Sequence, residues 1–218
     1  MKKYVVSMCF ILLLALSACA PAQQQPQAPA QQPKDDVDQP VQEPFTAKQE
    51  ISAEVKELLN KSNTRIRSIY YKYRGPETGS NFHEFYVKGD KIKYNPYLAI
   101  KTLDRQDSYD TIFIDTEAKS AQSYCVAAYC KYGGLKGNLN YDDAYIDTIF
   151  DWLKVTQATK VGEEVIDSRS TWKLETNKGI LWVDTFYGIP LKIESGGKTY
   201  KFEQISVNAV TDEDITPS

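Results

Sequence analysis

The sequence predicts an α+β protein built on a large curved antiparallel sheet, a half-barrel of about nine to eleven strands, with two amphipathic helices on its concave side. Short runs in which apolar and polar residues alternate indicate strands with one buried face. Glycine-containing turns such as residues 196–197 separate these runs, so successive strands form hairpins. Two stretches instead repeat their apolar residues at helical spacing. Because a sheet of this size must curl or be covered, we expect the helices to lie on its concave side.

The strands are clearest in residues 179–208. Ile180–Asp184, Ile189–Ser195 and Lys198–Gln204 are predicted strands, and the second and third alternate between apolar and polar side chains. The two helices are predicted from residue 46 to about residue 63, with Thr46 as the N-cap, and over Tyr141–Leu153.

The N-terminus is predicted to be a lipoprotein signal peptide covering residues 1–18. Two lysines precede a short apolar run, and residues 16–19 read LSAC, which resembles a bacterial lipobox. We therefore expect Cys19 to carry lipid and to anchor the protein on the extracytoplasmic side of a membrane, at the periplasmic or cell-surface face. An ordinary secretory signal cut nearby and a retained anchor helix are the alternatives.

Residues 19–45 are predicted to be a disordered tether rich in Pro, Gln and Ala. Six of the ten prolines lie between residues 20 and 45, and no glycine does. Without an apolar period, this stretch cannot offset the entropy of ordering. The folded domain is therefore expected to span residues 46–218.

Charge and cysteine content narrow the function classes. A formal net charge of −3 gives no reason to expect a nucleic-acid partner. If Cys9 leaves with the signal and Cys19 is acylated, Cys125 and Cys130 remain, and in an oxidising compartment such a pair forms a disulfide. A zinc site is disfavoured because His83 is the only histidine. No metal and no cofactor are expected.

The C-terminal third also resembles a known family. Residues 181–184 (LWVD), 188–193 (GIPLKI), 200–202 (YKF) and 205–208 (ISVN) are similar to paired strands of the LolA/LolB-like lipoprotein carrier and outer-membrane lipoprotein-sorting superfamily. Over residues 46–215 the resemblance implies an unclosed half-barrel, with helices as a lid above a hydrophobic cavity that holds acyl chains.

Two functions follow as expectations. The first is a tethered module whose concave face binds lipid or a lipidated protein, with a role in lipid or lipoprotein trafficking. The alternative is an envelope sensor or adaptor that binds a protein partner through the same sheet. The residues expected to line a lipid site are Tyr71, Tyr73, Phe85, Ile112, Ile114, Trp172, Trp182, Leu191, Ile193, Tyr200 and Phe202.

An enzyme is not expected. A serine or cysteine nucleophile needs a base, and His83 lies in a predicted strand beside Glu84, where a surface pair is the usual arrangement. The paired carboxylates are explained as a helix start, a turn and a charged tail.

Overall fold

The structure is a computed structural model that describes residues 51–96, 100–101, 108–127, 130 and 133–217. All of them belong to the unit that spans residues 46–218. The predicted signal peptide, the tether, Cys19 and the Thr46 cap lie outside the described residues.

An open sheet of eleven antiparallel strands forms the body of the domain, which confirms the predicted fold class. The strands are β1 (Ser68–Arg74), β2 (His83–Lys88), β3 (Lys91–Pro96), β4 (Ile100–Lys101), β5 (Ser108–Tyr109), β6 (Thr111–Asp115), β7 (Ser120–Cys125), β8 (Gly134–Leu139), β9 (Ala158–Ile166), β10 (Arg169–Thr176), β11 (Gly179–Asp184), β12 (Pro190–Ser195) and β13 (Lys198–Val207). The helices are α1 (Ala53–Arg65), α2 (Tyr141–Ala144) and α3 (Asp212–Ile215), and single 3₁₀ turns cover Pro76–Thr78 and Asp151–Leu153.

Two meanders meet in the middle of this sheet. The strand order is β8-β7-β6-β3-β2-β1-β13-β12-β11-β10-β9, and β4 and β5 form a separate two-stranded sheet. The first and last strands of the domain therefore pair at the centre, with Ile69 opposite Val207 and Tyr73 opposite Phe202. Within each half, neighbours in sequence are mostly neighbours in the sheet, as expected for successive hairpins.

One face of the sheet carries the hydrophobic core, and we call it the concave face. Its central side chains are fully buried, among them Tyr71, Phe85, Leu181, Ile193 and Phe202. Helix α1 adds Val55, Leu58 and Leu59, and the connection between β8 and β9 adds Ile149 and Trp152. Helix α3 packs instead on the opposite face, against β2 and β3.

The second predicted helix is not continuous. Residues 141–155 form a single α-turn, an extended stretch and a 3₁₀ turn. The Asn140 side chain caps the α-turn as predicted, by accepting from the amide of Asp143 at 3.2 Å. The helical spacing of the apolar residues gave a wrong prediction here, because an irregular chain buries Ile149 and Trp152. In this chain, side-chain hydrogen bonds replace the backbone hydrogen bonds of a helix.

Helix α1 begins later than expected. It is capped by Ser52, whose hydroxyl accepts from the Val55 amide at 3.4 Å, and it begins at Ala53. Two strands contain irregular features. Gly134–Leu139 is a strand although it contains two glycines, and Ala158–Ile166 contains a register shift near Val161.

Cys125 and Cys130 are joined by a disulfide, as the cysteine content predicts, with their Cα atoms 5.9 Å apart. The buried carboxylate of Asp110 holds the loop that they close. It accepts hydrogen bonds from the amides of Val126 at 2.9 Å and Ala127 at 2.8 Å. The Asp110 carboxylate and the two cysteine sulfurs lie within 4.8 Å of one another, as ligands of a metal ion would. Both sulfurs are, however, bonded to each other in the disulfide.

Reducing this disulfide should lower the free energy of unfolding by about 2 kcal/mol, the entropy of closing a short loop. Urea unfolding with and without dithiothreitol measures the difference. The Cys125→Ser/Cys130→Ser variant should match the reduced protein and should not respond to dithiothreitol.

Candidate binding site on the concave face

Aromatic side chains from four neighbouring strands fill the centre of the concave face. The Phe85 ring stacks on Tyr71, with centroids 5.2 Å apart, and on Tyr94 at 5.1 Å. Phe202 meets Tyr71 edge-on at 5.4 Å and lies 5.7 Å from Tyr73. Offset and edge-on pairs of this kind stabilise a core beyond their area burial. The face is therefore occupied by its own side chains.

Most of the predicted lipid-site residues do share this face. The core cluster contains Tyr71, Tyr73, Phe85, Ile112, Ile114, Ile193 and Phe202, and the partly buried Trp172 and Tyr200 pack against it. The alternation of apolar residues along each strand therefore placed these residues, which come from six strands, on the same face.

Trp182 and Leu191 are buried outside that cluster. Trp182 lies between Leu181 and Val183 on its strand and so points to the opposite face. There its indole nitrogen donates to the Glu164 carboxylate, and the Lys192 ammonium lies 4.1 Å from the ring centroid. Leu191 follows a register shift that leaves it unmatched on β11. An irregularity of one residue is not visible in the alternation of apolar residues.

Residues 141–155, which we call the covering segment, lie over this aromatic centre. Two core tyrosines contact its backbone through their hydroxyl groups. Tyr94 donates to the carbonyl of Ala144 at 3.0 Å, and Tyr71 accepts from the amide of Ile149 at 3.3 Å. Burial raises the pKa of both phenols, so both remain neutral. The cover is thus joined to the sheet by two neutral hydrogen bonds and by apolar contact.

Asp151 organises the covering segment internally. Its carboxylate accepts from the Tyr145 hydroxyl at 2.6 Å, from the Thr148 amide at 2.9 Å and hydroxyl at 2.7 Å, and from the Lys154 ammonium at 2.8 Å. Burial alone would raise the pKa of Asp151, but these donors outweigh it and the pKa lies below its ordinary value. Asp147 has the opposite environment, because burial and the Asp151 charge raise its pKa.

These shifts predict a pH dependence of the cover. Because the pKa of Asp151 is depressed in the folded state, its contribution is present above pH 3.8 and is lost as the pH falls through the folded pKa. At neutral pH, Asp151→Asn should cost about 2 kcal/mol of local stability, which hydrogen exchange at the Ile149 amide would report. Asp147→Asn is the matched control and should slow that exchange or leave it unchanged. Equal acceleration in both variants would contradict the assignment.

A polar cleft of about 610 Å³ opens where the covering segment meets the turns β2–β3 and β6–β7. We call it the mouth. Val87 and Ile92 lie at its inner side, and Tyr141 and Tyr145 line it with their rings stacked at 5.3 Å. The Lys119 ammonium lies 4.8 Å from the Tyr141 ring centroid. The mouth borders the covering segment at this end of the sheet, and sequence reasoning did not identify it because its lining combines that segment with two turns distant in sequence.

The motif residues of the family resemblance build a rigid turn. The Asp184 carboxylate accepts from the amides of Phe186 at 2.6 Å and Tyr187 at 2.7 Å, and its second oxygen accepts from Arg169 at 3.2 Å. Gly188 has a φ of 71°, and its amide donates to the Asp184 carbonyl at 2.9 Å. Asp184 and Gly188 therefore serve the fold, as their turn propensity predicts.

His83 lies beside the same aromatic cluster, its ring 5.9 Å from that of Tyr94. Burial lowers its pKa, so the imidazole is neutral at pH 7. Its Nδ1 is buried without a hydrogen-bond partner, in contrast to the surface pair with Glu84 that the sequence suggested. The described part of the chain places no cysteine or serine in contact with this nitrogen.

Fold and site together define a class of protein: an open antiparallel half-barrel whose apolar face lies under a helix and an irregular cover. None of the described helices is long and apolar enough to cross a membrane. No protein-family model matches the chain, and no curated protein matches its sequence.

Several solved structures are similar to the chain. Lipoprotein LppX of Mycobacterium tuberculosis is 13% identical over 72% of this chain and 95% of its own, with a TM-score of 0.42. LprF of Mycobacterium bovis is 12% identical over 74% and 97%, with a TM-score of 0.43. A LolA superfamily protein from Nitrosomonas europaea is 11% identical over 76% and 98%, with a TM-score of 0.29. The last of these is a member of the superfamily named above for residues 181–208.

Proposed function

We propose that this chain is an extracytoplasmic lipoprotein, anchored through Cys19, whose concave face binds an acyl chain of a lipid or lipidated protein. The structure of the covering segment is the observation that supports this proposal. One continuous apolar face lies beneath the segment, and the regular structure of the segment consists of one α-turn and one 3₁₀ turn. Segments with little regular structure open at low free-energy cost.

In the proposed cycle, the covering segment moves away and the acyl chain takes its place on the aromatic centre. The apolar side chains that the segment withdraws, including Ile149 and Trp152, are replaced by methylene groups of similar character. Each buried methylene contributes roughly 0.8 kcal/mol. The polar mouth leaves room for a headgroup beside Tyr141 and Tyr145.

Loosening the cover without changing the core tests this proposal. The Tyr71→Phe/Tyr94→Phe double variant removes the two hydroxyl contacts to the cover and keeps both rings. We expect faster uptake of a fluorescent fatty acid, measured by stopped flow on residues 20–218, which contain the whole described core. Tyr70→Phe is the control. The Tyr70 hydroxyl donates to the Glu84 carboxylate at 3.0 Å, and this contact lies away from the cover.

Mass spectrometry of solvent extracts from the purified protein provides the second measurement. A bound lipid at about one per chain supports the proposal. Extracts without lipid, together with no saturable uptake by either the wild type or the double variant, would rule it out.

A protein partner is the second candidate, and the filled concave face together with an open sheet edge favours it. β9 is the last strand on its side of the described sheet, and Val161 and Val165 on it are 51% and 70% exposed. Such an edge can accept an extended peptide as an added strand. Stoichiometric capture of a lipid-free partner that Val165→Lys abolishes would support this candidate over the first.

A further inference from the structure

Phe186 projects from the turn between β11 and β12 with 62% of its surface exposed. Among the large apolar side chains that stand exposed in the described ranges, it is the one aromatic residue. Its exposure is imposed by the backbone, because the Asp184 carboxylate and the Gly188 conformation hold the turn rigid. A bulky ring held in water by a rigid turn points to a partner surface.

Three cationic residues lie on the neighbouring end of α1 and on the residues that follow it. The Lys61 ammonium donates to the Thr185 carbonyl at 3.0 Å, and the Arg65 guanidinium donates to the Phe186 carbonyl and lies 4.8 Å from its ring centroid. Arg67, two residues after Arg65, is exposed. Within the described portion of the chain, none of the three forms an ion pair with a carboxylate. Carbonyl partners position the Lys61 and Arg65 side chains but leave their charges uncompensated.

Asn208 fixes the two arginines relative to each other. Its side-chain amide donates to the Arg65 carbonyl at 2.9 Å, and its oxygen accepts from the Arg67 amide at 2.7 Å. Asn208 thus fixes the backbone where α1, which carries Lys61 and Arg65, continues into the connection that carries Arg67. We call Phe186, Lys61, Arg65 and Arg67 the Phe186 tip.

The strand register places the Phe186 tip and the mouth at the same end of the sheet. Ser68, which follows Arg67, pairs with Lys88, and the next residues, Gly89 and Asp90, line the mouth. Asp184, which opens the Phe186 turn, pairs with Thr171 at that end. A surface that engages the tip would therefore also face the mouth.

We propose that the Phe186 tip docks the domain on an anionic phospholipid bilayer. Aromatic rings favour the headgroup region, where the ring is buried while its turn stays hydrated. Each nearby lysine or arginine adds attraction to anionic lipid. An acidic protein surface would satisfy the charges but would not need a projecting ring, so the bilayer fits the combination better. The tip shares no side chain with the concave face, and the docking proposal is independent of what that face holds.

Vesicle co-sedimentation of residues 20–218 tests the docking without the lipid anchor. We expect binding to phosphatidylcholine vesicles that contain about one third phosphatidylglycerol, and roughly five-fold weaker binding for each of Arg65→Gln and Arg67→Gln. Phe186→Ser should weaken binding roughly ten-fold. Leu135→Ser and Lys198→Gln remove an exposed apolar and a cationic side chain elsewhere and should bind like the wild type.

A second readout separates docking from a folding defect. Phe186→Trp should bind, and brominated acyl chains should quench the new indole. Equal binding to pure phosphatidylcholine, binding unaffected by Phe186→Ser, or no vesicle binding by a wild type that unfolds cooperatively would each overturn the proposal. Because fatty-acid uptake is measured without vesicles, a failure here leaves the acyl-chain proposal standing.

Discussion

Replacing Phe85 with alanine is expected to cost about 3–5 kcal/mol of unfolding free energy, which urea denaturation would measure. The side chain is 1% exposed and contacts the rings of Tyr71, Tyr73 and Tyr94. Because three large rings surround it, the site cannot collapse to fill the space left behind. Phe186→Ala is the matched control, and removing that exposed ring should change stability by less than about 0.5 kcal/mol.

The same substitution has a functional consequence. The void left by Phe85→Ala lies under the covering segment and is apolar, so it should bind a short alkane or fatty acid without the opening that the proposed cycle requires of the wild type. Tighter ligand binding with lower stability is therefore expected. A loss of less than about 1 kcal/mol would show that the aromatic centre is not packed as described.

Gly188→Ala is expected to destabilise the domain by about 2–4 kcal/mol. Gly188 has a φ of 71°, and an added Cβ would lie within 3.0 Å of the Lys61 side chain and still closer to the Leu58 carbonyl. The turn would have to move away from α1, which would also withdraw the carbonyls that Lys61 and Arg65 contact.

Gly196→Ala is the control that measures the conformational part of this effect without the steric contact. Gly196 has a φ of 57°, but an added Cβ would meet no atom within 4 Å. Its substitution should cost only the conformational strain of about 1 kcal/mol. Similar losses in both variants would mean that backbone conformation alone, and not the approach of α1, explains the glycine.

Much of the sheet was predictable from the sequence because many of its strands carry their own alternation of apolar and polar residues. Tyr71, Phe85 and Phe202 were grouped correctly, since burial on one face imposes a period of two along the chain. The strands around residues 179–208 and the antiparallel connectivity followed from hairpin turns. These are local signals, and local signals survive in a single sequence.

The covering segment and the mouth were not predictable, because they depend on contacts that leave no local signal in the sequence. Ile149 and Trp152 have helical spacing, but the hydrogen bonds of Asp151 to Tyr145, Thr148 and Lys154 hold an irregular chain. The Phe186 tip depends on Asn208, which reaches back to the connection between α1 and β1. Such contacts join residues far apart in sequence, and no periodicity records them.

The pairing of β1 with β13 has a consequence for how the domain forms. Each half of the sheet is a run of local hairpins, which fold quickly because their contacts are close in sequence. The seam between the halves joins the start of the domain to its end. A chain synthesised from its N-terminus thus exposes the inner edge of β1 until β13 follows. The interval between the two strands is when this protein is most open to mispairing or to a chaperone.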